Sequence, residues 1–285
     1  MKLGVLADLH WSVAPHAPER WHAPYDFEGL AARCAATVET LAEHGCELLV
    51  VAGDLTHHGD EASCAAALEC LLDVSPIPLA VVEGNHDVLR DRDLVPAHAA
   101  VRAGWRRADA LAREQLVTLR PVGVDPEHRW ARDRGLGPVD GETRSTVLVS
   151  HFPLVPHAAR LAAAGLPFPG ELLDRGLLLE LLGTTGTPTV VLSGHVHVRD
   201  AMTHGNVLQI CVPALVERPH EAAVVEIDPL AQAVRCTRIR GGAPTSERGA
   251  QSWLLAPSEQ RWSFADGSWT RHEVGAVRHH VLAEV

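Results

Sequence analysis

Five short sequence blocks contain the residue types that bind divalent metal ions. They are Asp8-Leu9-His10, Gly53-Asp54, Gly84-Asn85-His86-Asp87, His151 and Gly194-His195-Val196-His197. Carboxylate, amide and imidazole donors of this kind suit several divalent metals, and one cluster of this size can hold two cations. The blocks therefore predict metal chemistry, provided that the fold brings them together.

Each block directly follows a short apolar run that we predict to be a β-strand. The five predicted strands are Leu3–Ala7, Leu48–Ala52, Leu79–Val82, Thr146–Ser150 and Thr189–Ser193. Open α/β sheets place their ligand crevice at the carboxyl ends of the strands, so the five blocks should meet in one place.

The segments between and after these strands favour a mixed α/β chain. Apolar residues spaced by three and four predict a helix over Glu28–His44, closed by Gly45, and a second helix is expected over Glu61–Leu72. Val207–Val212, Ala222–Ile227 and Ala233–Ile239 are expected to be antiparallel strands that close a second sheet.

The order of the five blocks resembles the calcineurin-like metallophosphoesterase superfamily across about residues 3–212. Each block alone is a weak signal, but all five in order, each after an apolar run, rarely occur by chance. The resemblance implies an α/β fold built as a four-layer α/β/β/α sandwich. We assign residues 1–240 to this domain, with 88–144 as a candidate cap or insertion, and 241–285 to a C-terminal extension.

The resemblance also implies a dinuclear centre whose two ligand sets share Asp54. The first ion would be bound by Asp8, His10 and His197, and the second by Asn85, His151 and His195. A shared carboxylate would hold the ions about 3.5–4 Å apart, and a hydroxide bridging them would be the nucleophile. The donor set suits Mn, Fe, Zn or Co and does not distinguish between them.

His86 and Asp87 are the predicted catalytic residues beside the metals. By resemblance, His86 faces the phosphate, where an imidazolium would stabilise charge or protonate the leaving alkoxide. Asp87 is a candidate to orient His86, and the competing interpretation is a turn or helix-start carboxylate.

The second block differs from that of the Ser/Thr protein phosphatases of the superfamily. It continues as Leu55-Thr56-His57-His58-Gly59, without the arginine that contacts phosphate in those enzymes. The chain is more similar to the bacterial branch with class III cyclic-nucleotide phosphodiesterases and related small-molecule phosphohydrolases. His57 stands where that branch often has an acidic residue, so it is expected to be either a support for the metal site or a solvated loop residue.

The loop Trp11–Phe27, which follows the first block, is the best candidate for a wall that contacts substrate. We single out Trp11 and His22 in it, with His57 from the second block, as substrate-binding candidates. Most other histidines of the 18 in the chain, including His16, are expected to be solvated polar residues.

The composition argues against several partners. A formal charge of -11 and a pI near 5.9 disfavour a protein that grips nucleic acid through a basic face. No apolar run is long enough to span a bilayer, and the N-terminus lacks a signal peptide pattern. Six cysteines without a Cys-x-x-Cys pair are expected to be reduced thiols in a cytoplasmic protein.

Two further groups of residues have competing interpretations. Arginines between 88 and 144 could line a phosphate-binding cap, but a solvated helix face is favoured; they are Arg90, Arg92, Arg102, Arg106 and Arg107. Trp253, Trp262 and Trp269 could stack a base, but a packed edge or a homodimer interface is the commoner use of such residues.

Three classes of function are consistent with the sequence. A dinuclear hydrolase of a small, nucleotide-like phosphodiester or phosphomonoester is favoured. A nuclease of the same fold would need a basic track for the nucleic-acid backbone. A non-catalytic scaffold that retains the fold would be expected to lack ligands, whereas all seven predicted positions are filled.

Overall fold

The computed structural model describes residues 1–14, 18–91, 93–130, 142–240 and 254–273. Twelve strands and six helices lie within these ranges. The strands are β1 (Lys2–Leu6), β2 (Leu48–Ala52), β3 (Leu79–Val82), β4 (Val117–Val122), β5 (Ser145–Ser150), β6 (Thr189–Ser193), β7 (Asp200–His204), β8 (Val207–Cys211), β9 (Glu221–Asp228), β10 (Ala233–Arg240), β11 (Glu259–Ala265) and β12 (Ser268–His272). The helices are α1 (Leu30–Glu43), α2 (Glu61–Val74), α3 (Leu94–Ala97), α4 (Ala99–Glu114), α5 (Ala158–Ala163) and α6 (Arg175–Thr185).

The first sheet contains the strands that precede the first three sequence blocks. Its order is β12-β11-β10-β9-β1-β2-β3. β1, β2 and β3 run parallel, with Leu3 opposite Leu48 and Leu49 opposite Leu79. Parallel strands end at the same edge, so the residues that follow these three strands are neighbours.

The second sheet contains the strands that precede the last two blocks. Its order is β4-β5-β6-β8-β7, in which β4, β5, β6 and β8 run parallel and β7 runs antiparallel to β8. The carboxyl ends of β5 and β6 therefore lie side by side, as predicted.

Of the strands predicted after Gly205 to be antiparallel and to close a second sheet, β9 and β10 pair antiparallel with each other as predicted, but their sheet was predicted wrongly. All three strands exist, but β8 runs parallel to β6, and β9 and β10 join the first sheet, where β9 pairs antiparallel with β1. The strand β7, which was not predicted, forms a hairpin with β8 and sets its direction. Alternating hydrophobicity indicates which face of a strand is buried, but it does not identify the neighbouring strand.

Apolar side chains on alternate positions build three packed interfaces, which confirms the four-layer α/β/β/α sandwich. Leu3 and Val190 belong to the core between the two sheets. Leu49 packs with residues of α1 and α2 on the outer face of the first sheet. Leu148 packs with Leu178 of α6 on the outer face of the second sheet.

The two predicted N-terminal helices are present, and each has a clear physical basis. α1 buries Leu30, Cys34, Val38 and Leu41 along one face, and Gly45 follows it at a φ of 73°, which favours glycine. α2 begins after Asp60, whose carboxylate accepts a hydrogen bond from the backbone N–H of Ser63 at 2.9 Å.

The segment predicted as a cap over residues 88–144 contributes α3, α4 and the edge strand β4. α4 packs on β3 and β4, and thereby closes one side of the sandwich. The indole N–H of Trp105 donates to the backbone carbonyl of Val81 at 2.8 Å. Arg102, Arg106 and Arg107 are exposed on this helix, consistent with a solvated face. Arg92 and residues 131–141 lie outside the described residues, so a cap there stays a prediction.

Part of the predicted C-terminal extension continues the first sheet. β11 pairs antiparallel with β10, and β12 with β11. Trp262 and Trp269 are buried in the core between the sheets, where the Trp269 indole N–H donates to the carbonyl of Asn206. These two tryptophans thus form a packed edge, whereas Trp253 lies outside the described residues.

Two further observations concern membrane-spanning helices and the state of the cysteines, for which expectations came from the sequence. Among the residues described, none of the helices combines the length and apolar character needed to cross a membrane. All six cysteines are free thiols.

Candidate metal centre

Strand ends from both sheets meet at one buried cluster. Asp8 and His10 follow β1, Asp54 follows β2 and Asn85 follows β3, all from the first sheet. The second sheet adds three histidines after β5 and β6, namely His151, His195 and His197. Six of these seven side chains are buried, and Asn85 is partly buried. The sequence blocks that were predicted to converge are therefore brought together.

Five of the seven residues have a left-handed backbone conformation. Their φ angles are 52° for Asp8, 49° for His10, 47° for Asp54, 67° for His195 and 50° for His197. Such a conformation costs a non-glycine residue about 1–3 kcal/mol and persists where the surrounding structure enforces it. These turns direct the side chains at the strand ends toward one another.

Two glycines allow these turns to approach closely. A Cβ at Gly84 would overlap the carboxylate and the backbone nitrogen of Asp54, and a Cβ at Gly194 would lie 2.5 Å from Oδ2 of Asp8. The glycines of the sequence blocks therefore provide space for the neighbouring carboxylates.

The donor atoms form two overlapping groups around Asp8 and Asp54. Asp8, His10 and His197 each offer a donor atom within 4.8 Å of the others, and so do Asp8, Asp54 and His151. Oδ2 of Asp54 lies 3.6 Å from Nε2 of His10 and 3.3 Å from Nε2 of His151. Asp8 is common to both groups, and the Asp54 carboxylate of the second group also lies close to His10 of the first.

Asn85 connects the remaining imidazoles. Its Oδ1 lies 2.9 Å from Nε2 of His151 and 3.0 Å from Nδ1 of His195. An amide oxygen and two ring nitrogens at these distances form a second donor set next to Asp54.

The buried donors fit divalent metal ions. Nε2 of His10 and Nε2 of His195 are buried nitrogens without a hydrogen-bond partner among the described residues. Buried polar atoms are nearly always satisfied, and a metal ion is one way to satisfy an imidazole nitrogen.

Neighbouring groups orient two further histidines. Nδ1 of His151 lies 3.0 Å from the carbonyl oxygen of Ala52, and Nδ1 of His197 lies 2.9 Å from Oε1 of Glu217. Because these oxygens only accept, both rings carry a proton on Nδ1, so Nε2 is the nitrogen that could bind a metal ion after it loses its proton. Ligands of metal ions are commonly held by acceptors in this way.

Charge and burial shift the pKa values within the cluster. Burial opposes the charged form of every group, and it lowers the pKa of His10 and of His195. For His151, the charge and hydrogen bond of Asp54 outweigh burial and raise the pKa to about 9. For His197, Asp8 and Glu217 outweigh burial and raise the pKa to about 10. The raised pKa values of His151 and His197 reflect the carboxylate charge around them, and this negative charge is suited to cations.

His86 lies beside the cluster. Its backbone N–H donates to Oδ1 of Asp54 at 2.9 Å, and its Nδ1 lies 2.7 Å from the carbonyl oxygen of His57. Since that oxygen only accepts, Nδ1 carries a proton and donates it. The ring centroid is 4.6 Å from that of His10.

Asp87 has a different environment from the one expected of a residue that orients His86. Its carboxylate accepts four hydrogen bonds, from the backbone N–H groups of Leu55, Thr56 and Gly84 and from the Thr56 hydroxyl. Burial, followed by the charge of Asp54, raises its pKa to about 6. This geometry favours the alternative structural interpretation, in which Asp87 ties the loops after β2 and β3 together.

The three substrate-binding candidates occupy different positions. Trp11 is partly buried and packs on the core under α1 and α2. Nε2 of His22 lies 3.0 Å from the carbonyl of Val196, next to His197. His57 is 2% exposed and its ring meets His10, so it is not a solvated loop residue.

Two residues near the donor cluster were not singled out from the sequence. Glu217 is buried and holds both His197 and the backbone N–H groups of His22 and Ala23. Glu19 lies 3.1 Å from Nε2 of His57. Neither belongs to a block, so no sequence signal marks them.

Two helix-covered sheets whose strand ends share one cluster of metal donors define an α/β/β/α protein with a metal centre. The sequence matches the family model described as calcineurin-like phosphoesterase over residues 1–199. The chain belongs to the calcineurin-like phosphoesterase family and is a metal-dependent phosphoesterase.

The chain is similar to solved structures of phosphatases and phosphoesterases, and the TM-score of the first one given supports the fold. A dimetal phosphatase from Danio rerio has a TM-score of 0.60 at 13% identity, covering 84% of this chain and 96% of that one. A predicted phosphoesterase from Streptococcus pneumoniae has a TM-score of 0.43 at 13% identity, covering 92% and 97%. A phosphoesterase from E. coli has a TM-score of 0.40 at 15% identity, covering 85% and 100%. No match was found among curated protein sequences.

Proposed function

We propose that this phosphoesterase hydrolyses a small, nucleotide-like phosphodiester or phosphomonoester at a dinuclear metal centre. The observation that carries the proposal is the cluster of seven donor side chains from five strand ends, with unpartnered imidazole nitrogens at His10 and His195 among the described residues. Mn, Fe, Zn and Co all suit this mixture of oxygen and nitrogen donors.

Each ligand group has a definite role in the proposed centre. Asp8, His10 and His197 would hold one ion, Asn85, His151 and His195 would hold the other, and both would share Asp54. When bound, the ion pair supplies an activated water as nucleophile and neutralises charge on the phosphoryl oxygens. The protein fixes the geometry through the strand-end turns and through the acceptors on Nδ1 of His151 and His197.

His86 is proposed as the general acid. Its Nδ1–H is committed to the carbonyl of His57, so Nε2 is the nitrogen available to a substrate. As an imidazolium, it would transfer the Nε2 proton to the leaving oxygen while the P–O bond breaks. His86 also donates its backbone N–H to Asp54, which keeps the acid next to the bridging ligand.

The loop formed by residues 11–14 and 18–27 is proposed as a wall of the substrate site. Within it, His22 lies next to the ligand His197, with ring centroids 6.4 Å apart. Trp11 is held by packing, and His57 by His10 and Glu19, so both are better placed to shape the wall than to move with a substrate. His22→Ala should therefore change the ratio of KM values between substrates, and unchanged ratios would exclude His22 from substrate binding.

Two alternative functions are less well supported. A nuclease of this fold would need a basic surface, but the chain has a formal charge of -11. A scaffold without catalysis would not require seven filled ligand positions. The free thiols of all six cysteines fit the proposed cytoplasmic location.

A substrate panel tests the proposal directly. Purified protein, stripped of metal and reconstituted with Mn²⁺, should hydrolyse at least one phosphomonoester, phosphodiester or nucleotide pyrophosphate, and elemental analysis should find two ions per chain. Hydrolysis should disappear on chelation and return with Mn²⁺. Binding of two ions without turnover of any class would favour a scaffold, whereas cleavage of DNA or RNA only would favour the nuclease.

A further inference from the structure

We infer that His57 and Glu19 are positioning residues that hold the metal ligand His10 in one tautomer and thereby set the affinity of the first metal ion. The inference rests on the proposed dinuclear centre. It extends the centre to a relay of three side chains, Glu19–His57–His10, which connects the loop of residues 18–27 to the metal.

The backbone places the two imidazoles side by side. The N–H of His10 donates to the carbonyl of Asp54, and the N–H of His57 donates to the carbonyl of Trp11, both at 2.9 Å. These bonds continue the pairing of β1 and β2 beyond the strands, through a bridge between Trp11 and Thr56. As a result, Nδ1 of His57 lies 3.2 Å from Nδ1 of His10.

The hydrogen-bond directions along the relay are mutually consistent. If Nε2 of His10 binds the metal, the neutral ring carries its proton on Nδ1 and must donate it. The acceptor is Nδ1 of His57, so His57 in turn carries its proton on Nε2. That nitrogen lies 3.1 Å from Oε1 of Glu19, which can only accept while it is ionised. Every donor therefore meets an acceptor, from the metal ligand outward to the carboxylate.

The burial of the relay changes from one end to the other. His10 and His57 are 1% and 2% exposed, whereas the Glu19 side chain is 43% exposed. A misplaced proton between two buried rings is costly because water cannot compensate for it. The contact at the outer end is weaker, since solvent screens the exposed carboxylate.

The other supported ligand of the first ion is held differently. Nδ1 of His197 contacts the buried carboxylate of Glu217 directly at 2.9 Å, whereas Nδ1 of His10 reaches the carboxylate of Glu19 through an intervening imidazole. Both supports contact the loop of residues 18–27, because Glu217 also accepts from the backbone N–H groups of His22 and Ala23. Movement of that loop would therefore change the affinity of the first ion more than that of the second.

The backbone carbonyl of His57 has a separate role, because it accepts from Nδ1 of His86. Substituting the His57 side chain leaves this carbonyl in place. A variant of His57 can therefore test the relay without deleting the support of the proposed general acid.

Metal binding to the stripped protein tests the relay without reference to activity. Stepwise Kd values and stoichiometry for Mn²⁺ would be measured by calorimetry and by electron paramagnetic resonance. His57→Leu should weaken one of the two sites about 10–100-fold, the usual effect of losing a group that orients a ligand. His57→Asn should restore most of that loss, because its amide oxygen can accept from Nδ1 of His10. Glu19→Gln should cause a loss below about tenfold, because its contact is exposed.

Two controls match these substitutions. His204→Leu replaces an exposed histidine at the end of β7, and Glu28→Gln neutralises an exposed carboxylate next to the loop. Both should bind Mn²⁺ like the parent chain. If His57→Leu does not fold, the other two variants still test the relay. The relay then requires weaker Mn²⁺ binding at the first site in Glu19→Gln and near-parental Mn²⁺ binding in His57→Asn.

Several outcomes would overturn the relay while leaving the proposed function intact. Unchanged Mn²⁺ affinity in His57→Leu, with two ions bound and hydrolysis present, would exclude it. If the parent chain binds a third ion that His57→Leu does not bind, His57 is itself a ligand. The donor atoms of His10, His57 and His86 lie close enough together to allow this. A parent chain that binds no metal would instead contradict the proposed function itself.

The tautomer provides an independent measurement. In Zn²⁺-loaded protein labelled with ¹⁵N, the ring signals of His57 are identified by their loss in His57→Asn. These signals should show a proton on Nε2 and none on Nδ1. A proton on Nδ1 of His57 would reverse the hydrogen bond to His10 and refute the relay.

Discussion

Asp54 has the most demanding position of any single residue in the centre. Its carboxylate lies between His10 and His151 and also accepts the backbone N–H of His86. Burial opposes its charge, but His151, His86 and His10 hold the pKa of the carboxyl group well below its usual range. The group is therefore an anion at the position where the proposed centre requires a shared ligand.

We expect Asp54→Asn to lose tight binding of at least one ion and to reduce hydrolysis more than about 100-fold. The amide keeps the shape of the side chain but removes the charge that two cations share. Elemental analysis and turnover of the best substrate from the panel measure the two effects. Asp109→Asn is a matched control, since it removes only an exposed pair with Arg113. Two tightly bound ions with full activity in Asp54→Asn would refute the bridging role.

His86→Ala should reduce kcat about 10²–10⁴-fold, the usual range for a positioned acid, while both ions stay bound. The defect should shrink for a p-nitrophenolate leaving group, because this anion departs without a proton. Comparison of kcat for alkyl and p-nitrophenyl esters measures the contrast. An equal loss for both esters would instead indicate phosphate binding, and loss of metal in proportion to activity would make His86 a ligand.

The residue scale also shows what could be predicted locally. The donor cluster was predictable because each of its residues follows an apolar run within a few positions, so the signal is contained in one block. Glu217 contacts His197 across 20 residues and Glu19 contacts His57 across 38, with no motif around either. Only the folded chain reveals such partners. Asp87 lies inside a block and was a candidate to orient His86, but its carboxylate accepts from the backbone N–H groups of Leu55 and Thr56 instead.

At the scale of elements, the turns after the strands do more to form the centre than the strands themselves. The glycines before Asp54, Asn85 and His195 remove a side chain where two turns meet, as at Gly84 against Asp54. The turn after β3 is then fixed by Asp87, which binds the backbone of the turn after β2. Packing of the turns, in addition to the choice of ligands, therefore determines the donor positions.

Gly84→Ala should displace Asp54 and weaken the metal centre. The added Cβ would overlap the Asp54 carboxylate and its backbone nitrogen, so one of the two turns must move. We expect metal affinity to fall at least about tenfold and the free energy of unfolding to fall by about 1–3 kcal/mol. Gly183→Ala is the control, because it lies inside α6 with nothing within 4 Å of the added Cβ. There the free energy of unfolding should rise by about 0.5–1 kcal/mol. Equal metal affinity in both variants would show that the close approach is unimportant.

At the scale of the whole molecule, the α/β/β/α class was predictable and the sheet membership of the later strands was not. Block order and hydrophobic runs are local features, and they placed β1, β2, β3, β5 and β6 correctly. The partner of a strand is decided by packing between distant segments, which is why β9 could not be assigned to β1 from sequence. For the same reason Trp269 could not be assigned to the core between the sheets.

Removal of the metal ions should destabilise the whole fold. Asp8 and Asp54 are buried carboxylates in one cluster, and ions that bind only the folded chain stabilise it by about 2.7 kcal/mol at a concentration of 100 Kd. For a domain of this size, that corresponds to a decrease in Tm of roughly 5–10 °C on chelation. Differential scanning calorimetry with and without EDTA measures the shift. Asp54→Asn should show a smaller shift, and an identical Tm with and without the chelator in the parent chain would contradict metal binding at the cluster.

The position of β1 between β9 and β2 has a consequence for biosynthesis. β1 precedes the earliest candidate ligands, Asp8 and His10, but its pairing with β9 requires residues up to Glu226, long after the last candidate ligand His197 has been made. During synthesis, the β9 edge of β1 would therefore stay unpaired after every candidate ligand has been made, so the first sheet would be completed only once the whole donor set is available.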